Sequence, residues 1–297
     1  MIYLLVLLPT LEMETHKVPQ LFTAVRLQEY GVGIFELYPT KSSWKKAIKK
    51  GQVYVNGTQC TTGTLIVGGE EICLRIDDTL TSRKEFRCKL AVLYEDDYLA
   101  VIRKPAGVLV SGNSFKTVVN ALPENLQEST QEGAVMPQPI HRLDYATTGL
   151  LLIGKTSGSI RNLNVLFTKK RITKTYLAIT IGEMKRTGIV SEPIDGKLAS
   201  SEYEVLQTVA SDRFERLNLV VLSPITGRRH QLRKHMAFHG NHILGDRDYS
   251  PEGLLLKGKG MYLHANRLEF MHPFKDALLK VTDEIPQRFR KIFPETE

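Results

Sequence analysis

The sequence predicts an α+β fold built around a mixed, largely antiparallel sheet. Strand-like segments, apolar or alternating and rich in β-branched residues, outnumber helix-like segments along the 297 residues. The helices are scattered among the strands without the strict strand–helix–strand alternation of a parallel sheet. Glycine, proline and polar clusters bound most strands. The length allows one large domain and a small one.

The larger unit is predicted over residues 90–290. It opens with a hairpin whose strands, 90–94 and 98–102, are joined by an acidic turn. Helix patterns fit residues 113–121, 157–168 and 228–238. Further strands are predicted at 150–153, 176–181, 201–207, 217–222 and 261–264.

The smaller unit is predicted over residues 17–78, centred on TKSSWKKAIKKGQVYVNGTQC. Ser42 or Ser43 can cap a short helix, with Trp44, Ala47 and Ile48 on its apolar face. Gly51 fits the end of this helix. A strand then leads into Asn56-Gly57, a strong hairpin signal.

Residues 1–16 and 79–89 are predicted to be an N-terminal extension and a polar linker. The extension begins MIYLLVLLP, which has no preceding Lys or Arg and no small-residue cleavage site after it. It is also too short to span a bilayer, so we expect an edge strand or an over-extended start. No other segment is long and apolar enough to predict a membrane span, so no membrane partner is expected.

The positive charge is concentrated in the larger unit. Residues 1–80 contain eight Lys/Arg and eight Asp/Glu, so the whole excess of +8 lies in residues 81–297. A basic surface of this kind favours a polyanion as partner, nucleic acid before an anionic membrane. The three cysteines form no CxxC pair, which argues against a disulfide framework and favours a cytoplasmic protein.

Several common reaction classes lack their motifs here. HEXXH, GxSxG, a Walker loop and GxGxxG are all absent, and no Cys-His signature is evident. His235, His239 and His242 have a spacing that could imitate a zinc site, but no carboxylate accompanies them before Asp246. We therefore predict no metal and no cofactor.

Four segments carry the remaining candidate chemistry. They are RKPAGVLV at 103–110, HRLDYATTGLLLIGKT at 141–156, KTYLAITIGEM at 174–184, and SPITGRRHQLRKHMAFHGNHILGD at 223–246. Together they resemble the RluA family of pseudouridine synthases over residues 90–273. The family's HRLDxxTSGLLL, KxYLA, TGRxHQ[IL]RxH and LHA blocks are matched in order, with Thr148 where serine is more common. The HPIxGD block that follows TGRxHQ[IL]RxH is matched up to Asp246, except that Asn241-His242 replaces His-Pro.

The resemblance implies a pseudouridine-synthase-like domain with a central cleft, and it implies roles for individual residues. Asp144 would be the catalytic aspartate, Arg233 its partner, and Tyr176 would stack on the target ring and could help remove the C5 proton. Arg142 would fill the gap left by a flipped nucleotide and Leu263 would line the pocket. His141 and Arg229 are also placed among the substrate-binding residues. Arg229 is predicted one turn before Arg233 in the same helix.

The smaller unit is similar to the alpha-L RNA-binding motif, typified by the fourth small-subunit ribosomal protein. A short basic helix followed by a GxVxVNG hairpin carries this resemblance, matched by residues 51–57. Phosphate contacts are predicted from two basic clusters. The first cluster is Lys45, Lys46, Lys49 and Lys50, and the second is Lys169, Lys170, Arg171 and Lys174.

The sequence thus predicts a monomeric enzyme that isomerises uridine to pseudouridine in ribosomal or transfer RNA. The reaction needs no redox cofactor, because the base is only detached, turned over and rejoined. The leading alternative is a catalytically inactive RNA-binding or ribosome-assembly factor of the same fold. A metal-dependent RNA hydrolase is a third option, and it would cleave strands in a chelator-sensitive manner.

Overall fold

A computed structural model describes residues 12–35, 37–38, 41–76, 86–256 and 258–294. It divides into two compact units, Met1–Arg83 and Lys84–Glu297. The strand expected within residues 1–8 and most of the predicted linker lie outside the described residues. None of the described helices is long and apolar enough to span a membrane. All three cysteines are free.

The first unit packs two short helices against small sheets. Its core surrounds Trp44, whose indole donates to the Leu27 carbonyl at 2.8 Å. A four-stranded sheet has the order β1-β6-β3-β4, and β2 pairs with β5. The elements are β1 (Glu12–Lys17), β2 (Val25–Arg26), α1 (Leu27–Tyr30), α2 (Lys41–Lys49), β3 (Val53–Val55), β4 (Thr58–Gln59), β5 (Leu65–Ile66) and β6 (Glu71–Ile76).

Local sequence rules explain most of α2 and its hairpin. Trp44, Ala47 and Ile48 are buried as predicted. Asn56 and Gly57 both have positive φ, 49° and 73°, which is the geometry of the predicted two-residue turn. The capping prediction was wrong, because α2 begins at Lys41 and both serines lie inside it. The alpha-L resemblance stays a prediction.

The second unit contains a ten-stranded, mostly antiparallel sheet, as the sequence predicts. Its order is β12-β13-β14-β11-β15-β10-β8-β7, with β16 on β15 and β9 on β10. The strands are β7 (Ala91–Glu95), β8 (Leu99–Lys104), β9 (Ala134–Pro139), β10 (Thr148–Thr156), β11 (Thr173–Ile181), β12 (Thr187–Val190), β13 (Ser201–Ser211), β14 (Glu215–Pro224), β15 (Leu263–Met271) and β16 (Leu278–Thr282). The helices are α3 (Val118–Ala121), α4 (Ser157–Thr168), α5 (Gln231–Phe238) and α6 (Gln287–Arg290).

Helix boundaries in the second unit follow capping groups. The prediction for α4 is confirmed, and a reciprocal capping box between Thr156 and Ser159 starts it. The helix predicted at 113–121 is reduced to Val118–Ala121, because it starts only after Thr117, whose hydroxyl accepts from the Asn120 amide. The strand predicted at 261–264 instead runs over Leu263–Met271.

Candidate active site

A cleft of about 370 Å³ lies in the second unit. Most of its lining comes from the segment before β10, the first half of β11, the first residue of β15, and α5 with the segment before it. The structure therefore brings together residues from three of the four segments singled out in the sequence. The predicted site residues that line it are His141, Arg142, Asp144, Lys174, Tyr176, Arg229, Arg233 and Leu263.

The lining residues that contact or flank Asp144 form two groups. The sheet wall is Asp144, Tyr176 and Leu263, which precede or lie on adjacent strands in the order β11-β15-β10. The helix wall is His230 and Arg233, at the start of α5 and within it. The sheet wall is positioned mainly by main-chain pairing, supported by buried side chains, and the helix wall is positioned by side-chain contacts.

Parallel pairing between β10 and β15 places the Asp144 loop beside Leu263. Gly149 pairs with Ala265 at a φ of +110°. A Cβ added at Gly149 would lie 2.2 Å from the Ala265 carbonyl oxygen. Only glycine permits this backbone approach, so Gly149 fixes how closely the loop that carries Asp144 meets the start of β15.

A buried lysine attaches the same loop to β8. Lys104 is fully buried, and its ammonium donates to the Pro105 and Val108 carbonyls at 2.7 and 2.8 Å and to the Tyr145 carbonyl at 3.4 Å. Burial lowers the pKa of Lys104 to about 8, against the opposing effect of Asp144. Lys104 lies in the RKPAGVLV segment, but nothing in the sequence indicated this tie to the loop.

A second buried network holds β15 next to β10. His264 Nδ1 lies 2.8 Å from the Thr148 hydroxyl, and His264 Nε2 lies 3.2 Å from Asp283. Arg103 forms a bidentate pair with the same aspartate. Burial alone would raise the pKa of Asp283, but His264 and Arg103 lower it to about 2. This network therefore stabilises the start of β15, where Leu263 lies.

Arg233 contacts three carboxylates. Its strongest contacts are to Asp246, at 2.7 Å from Nε and 2.6 Å from Nη2, and to Asp248 at 2.7 Å. Its remaining nitrogen, Nη1, lies 3.6 Å from Asp144 Oδ2. Burial would lower the pKa of Arg233, but these acidic partners raise it above its ordinary value. The sequence indicated only Asp144 as partner, so the prediction missed the residues that orient the guanidinium.

His230 faces the other oxygen of the same carboxylate. Its Nε2 lies 3.6 Å from Asp144 Oδ1, and its Nδ1 lies 2.8 Å from the Tyr249 hydroxyl. Its backbone is left-handed, with φ of 54°, at the residue that precedes α5. Burial is the main cause of a lowered pKa at His230, with Asp144 opposing it. The sequence does not indicate His230 as a site residue.

Tyr176 brings an aromatic ring into the cleft from β11. The pairing of β11 with β15 shifts register between Thr175 and Tyr176, and such irregularities re-aim side chains. Burial, with the charge of Asp144 as the lesser cause, raises the pKa of Tyr176 well above its ordinary value. The phenol is therefore neutral at physiological pH.

His141 and Arg142 lie next to each other but have different environments. His141 accepts a hydrogen bond from the Leu152 amide at 3.2 Å and stacks on Phe167, with the ring centroids 4.9 Å apart. Burial, assisted by the charge of Lys174, lowers the pKa of His141 to about 3, so this imidazole is neutral. Arg142, in contrast, is exposed.

The structure corrects the position of Arg229. Helix α5 starts at Gln231, three residues later than predicted, so Arg229 lies in the preceding turn and not one helical turn before Arg233.

In the second basic cluster, Lys169, Lys170 and Arg171 are exposed between α4 and β11. Of the first basic cluster, Lys46, Lys49 and Lys50 are exposed and Lys45 is half-buried on α2 or just after it.

The histidines with zinc-like spacing have other partners. His235 contacts Ser201 and the Glu192 carbonyl, and His239 contacts Asn241. Within the part of the chain that the structure describes, no three His, Cys, Asp or Glu side chains are grouped to hold a metal ion. The cleft instead offers one carboxylate between a guanidinium and an imidazole, with an aromatic ring nearby.

Comparisons with known proteins identify the family. Residues 98–238 match the family described as RNA pseudouridylate synthase. "Ribosomal large subunit pseudouridine synthase C" of Rickettsia bellii is 31% identical over 303 residues, covering 91% of this chain and 97% of that protein. "Ribosomal large subunit pseudouridine synthase D" of Buchnera aphidicola is also 31% identical, over 305 residues, covering 91% and 94%.

A solved structure agrees with these relatives. "Human RNA Pseudouridylate Synthase Domain Containing 4" is 27% identical, with a TM-score of 0.54 over 67% of this chain and 90% of the human one. Sequence and fold therefore lead to the same conclusion. The chain belongs to the RluA-type family of RNA pseudouridine synthases and is an enzyme that isomerises uridine to pseudouridine in RNA.

Proposed function

We propose that Asp144 is the catalytic carboxylate of this isomerisation, that the target base is flipped into the cleft, and that the substrate is large-subunit ribosomal RNA. The observation that supports the first part is the placement of Asp144. Its carboxylate lines the cleft, is 19% exposed, and faces Arg233 and His230 at 3.6 Å each. It is thus reachable by a nucleoside but largely removed from solvent.

The chemistry requires a group at the sugar. Forming pseudouridine breaks the bond between N1 and C1′, turns the uracil over and joins C5 to C1′. A carboxylate can attack C1′ as a nucleophile, or it can remove a proton from C2′ if the path runs through a glycal. Both routes need Asp144 in its charged form, and the guanidinium of Arg233 lies 3.6 Å from its Oδ2.

The partial burial of Asp144 supports base flipping. A carboxylate inside a cleft cannot reach the sugar bond of a nucleotide that stays stacked in a helix, so the nucleotide must leave the stack. Unstacking costs a few kcal/mol, which protein side chains can offset. Exposed Arg142, two residues before Asp144, is suited to occupy the vacancy because a planar guanidinium stacks well. Tyr176 provides an aromatic face for the flipped ring.

The RNA target is proposed from the relatives and from charge. Both bacterial relatives are named for the large ribosomal subunit, which makes its RNA the first candidate and transfer RNA the second. The two basic clusters predicted from the sequence would bind phosphates, giving salt-sensitive affinity with little sequence preference.

Tritium release from RNA labelled at uridine C5 tests this proposal. We expect release from a bacterial large-subunit ribosomal RNA transcript and none from a matched pool of transfer RNA transcripts. Release from transfer RNA alone would overturn the target. Binding of both RNAs without release from either would instead support the inactive RNA-binding factor.

A further inference from the structure

The carboxylate of Asp144 is contacted on both oxygens. Oδ2 faces Arg233 Nη1 and Oδ1 faces His230 Nε2, each at 3.6 Å. This separation is too long for a hydrogen bond, but contacts at reacting groups often shorten when the substrate binds. The guanidinium of Arg233 balances the negative charge of Asp144 on the Oδ2 side. The mechanism above gives no role to the imidazole on the other side, although its side chain is only 16% exposed.

The charge of Asp144 decides which tautomer of His230 is favoured. The Tyr249 hydroxyl lies 2.8 Å from Nδ1, so it either donates to this nitrogen or accepts from it. If it accepted, a neutral imidazole would direct the lone pair of Nε2 at the negative charge of Asp144. If the Tyr249 hydroxyl donates to Nδ1, the hydrogen of the neutral imidazole is on Nε2, and this N–H directs a positive dipole at the carboxylate. Electrostatics therefore favour a chain of donors that runs from Tyr249 through His230 to Asp144.

The surroundings of His230 favour its neutral form over the cation. The charged groups that face it are Asp144 and Asp248, which favour a cation, and Arg233 and Arg229, which oppose one. Burial is the largest influence and also opposes the cation, so the pKa of His230 lies below its ordinary value. A neutral donor leaves the carboxylate its full negative charge and still orients it.

One short segment holds both groups that contact Asp144. Asp246 and Asp248 bind the guanidinium of Arg233, and the ring of Tyr249 lies 4.9 Å from the Arg233 Cζ. The hydroxyl of the same tyrosine holds His230. His230 also has a left-handed backbone, with φ of 54°, a conformation that costs a non-glycine residue free energy.

We propose that His230, oriented by Tyr249, is a positioning residue that directs its Nε2–H donor at Asp144 Oδ1 and so fixes the plane of the reacting carboxylate. This inference rests on the proposed catalytic role of Asp144. His230 acts through Asp144 and does not itself exchange a proton with the RNA. Loss of the donor should therefore slow the chemical step more than it weakens RNA binding.

Four variants of the full chain test the proposal on the RNA transcript from which the wild type releases tritium. Tyr249→Phe removes only the hydroxyl and keeps the ring beside Arg233. His230→Asn suits a left-handed backbone but is too short to reach Asp144. His230→Gln carries an amide N–H at about the distance of Nε2. Tyr98→Phe is the matched control, because its hydroxyl bonds Gln131 at 2.9 Å, away from the cleft.

We expect kcat to fall about three- to tenfold in Tyr249→Phe and about ten- to a hundredfold in His230→Asn, with KM within about twofold of wild type. His230→Gln should recover most of the kcat that the asparagine variant loses, and Tyr98→Phe should match wild type. Thermal melting of each variant separates a loss of folded protein from a loss of rate.

Two results would overturn the proposal. One is a wild-type kcat in folded Tyr249→Phe together with a wild-type kcat in His230→Asn. The other is an equal loss in His230→Gln and His230→Asn, which would show that any replacement disturbs the loop. Asp144→Asn in the same assay separates failure of the positioning role of His230 from failure of the proposed catalytic role of Asp144. If it is inactive while the His230 and Tyr249 variants are normal, only the positioning role fails; if it is active, the proposed function itself fails.

Discussion

The sheet wall and the helix wall meet at one carboxylate but are stabilised in different ways. Asp144 and Leu263 are brought together by the parallel pairing of β10 with β15, where Thr148 pairs with His264 and Gly149 with Ala265. The helix wall depends on side chains. Arg233 is oriented by two aspartates and His230 by one tyrosine hydroxyl.

The difference indicates how each wall should respond to change. Main-chain pairing in a large sheet is shared among many residues, so most substitutions there act on packing. An ion-pair network is concentrated in a few atoms, and removing one member leaves another buried charge without its partner. We expect the helix wall to lose stability and activity together, and the sheet wall to fail mainly where a backbone approach is blocked.

Arg233→Ala should have the largest effect on stability. It leaves Asp246, which is 1% exposed, without its bidentate partner, so the free energy of unfolding should fall by about 3–5 kcal/mol. Tritium release should be lost as well, because Asp144 loses the guanidinium. Urea unfolding and the release assay measure the two effects. A variant with normal stability and normal turnover would contradict the role of the network.

Gly149→Ala should break the sheet wall. The new Cβ would meet the Ala265 carbonyl at 2.2 Å, and the φ of +110° is unfavourable for alanine, so we expect a loss of about 3 kcal/mol. Gly196→Ala is the matched control, since its φ is also positive at 72° but no atom lies within 4 Å. It should lose about 1 kcal/mol. Equal losses in urea unfolding would show that the close approach does not matter.

Acidic pH should weaken the network of Asp283, His264 and Arg103 that holds β15 next to β10. The pKa of Asp283 is lowered to about 2 from 3.8, so its contribution is present above pH 3.8 and is lost as the pH falls through 2. The shift corresponds to about 2 kcal/mol. Asp283→Asn should therefore reduce the fall in unfolding free energy between these pH values. Asp276→Asn, at an exposed position, should leave this fall in unfolding free energy unchanged. If Asp283→Asn also leaves it unchanged, Asp283 is not the group responsible.

The smallest effect concerns α2 and the residue that follows it. Replacing Lys45, Lys46, Lys49 and Lys50 by Gln should raise KM several-fold at moderate salt, reduce the salt dependence of RNA binding by up to ~0.7 per lysine, and leave kcat at saturation unchanged. Lys41→Gln is the control, because Lys41 already pairs with Glu29 at 2.6 Å. A fall in kcat at saturating RNA would show that the first unit takes part in the chemistry.

The two walls also differ in how far the sequence predicts them. The blocks around Asp144, Tyr176 and Leu263 are local patterns, and strand pairing brings them to one edge. Asp246, Asp248 and Tyr249 were not selected as site residues, because their contacts depend on how the chain after α5 folds back. The start of α5 was placed too early because a left-handed residue, His230, precedes it and is not evident from composition.

The central claim is that the Asp144 carboxylate performs the reaction. Its most direct test is the single-turnover rate of tritium release by Asp144→Asn, measured at saturating RNA on protein shown to be folded by thermal melting. The amide keeps the size and the hydrogen-bonding shape of the side chain but not its charge. We predict that RNA binding and melting temperature stay near wild type while release falls below detection. Release at a rate near that of the wild type would contradict the account.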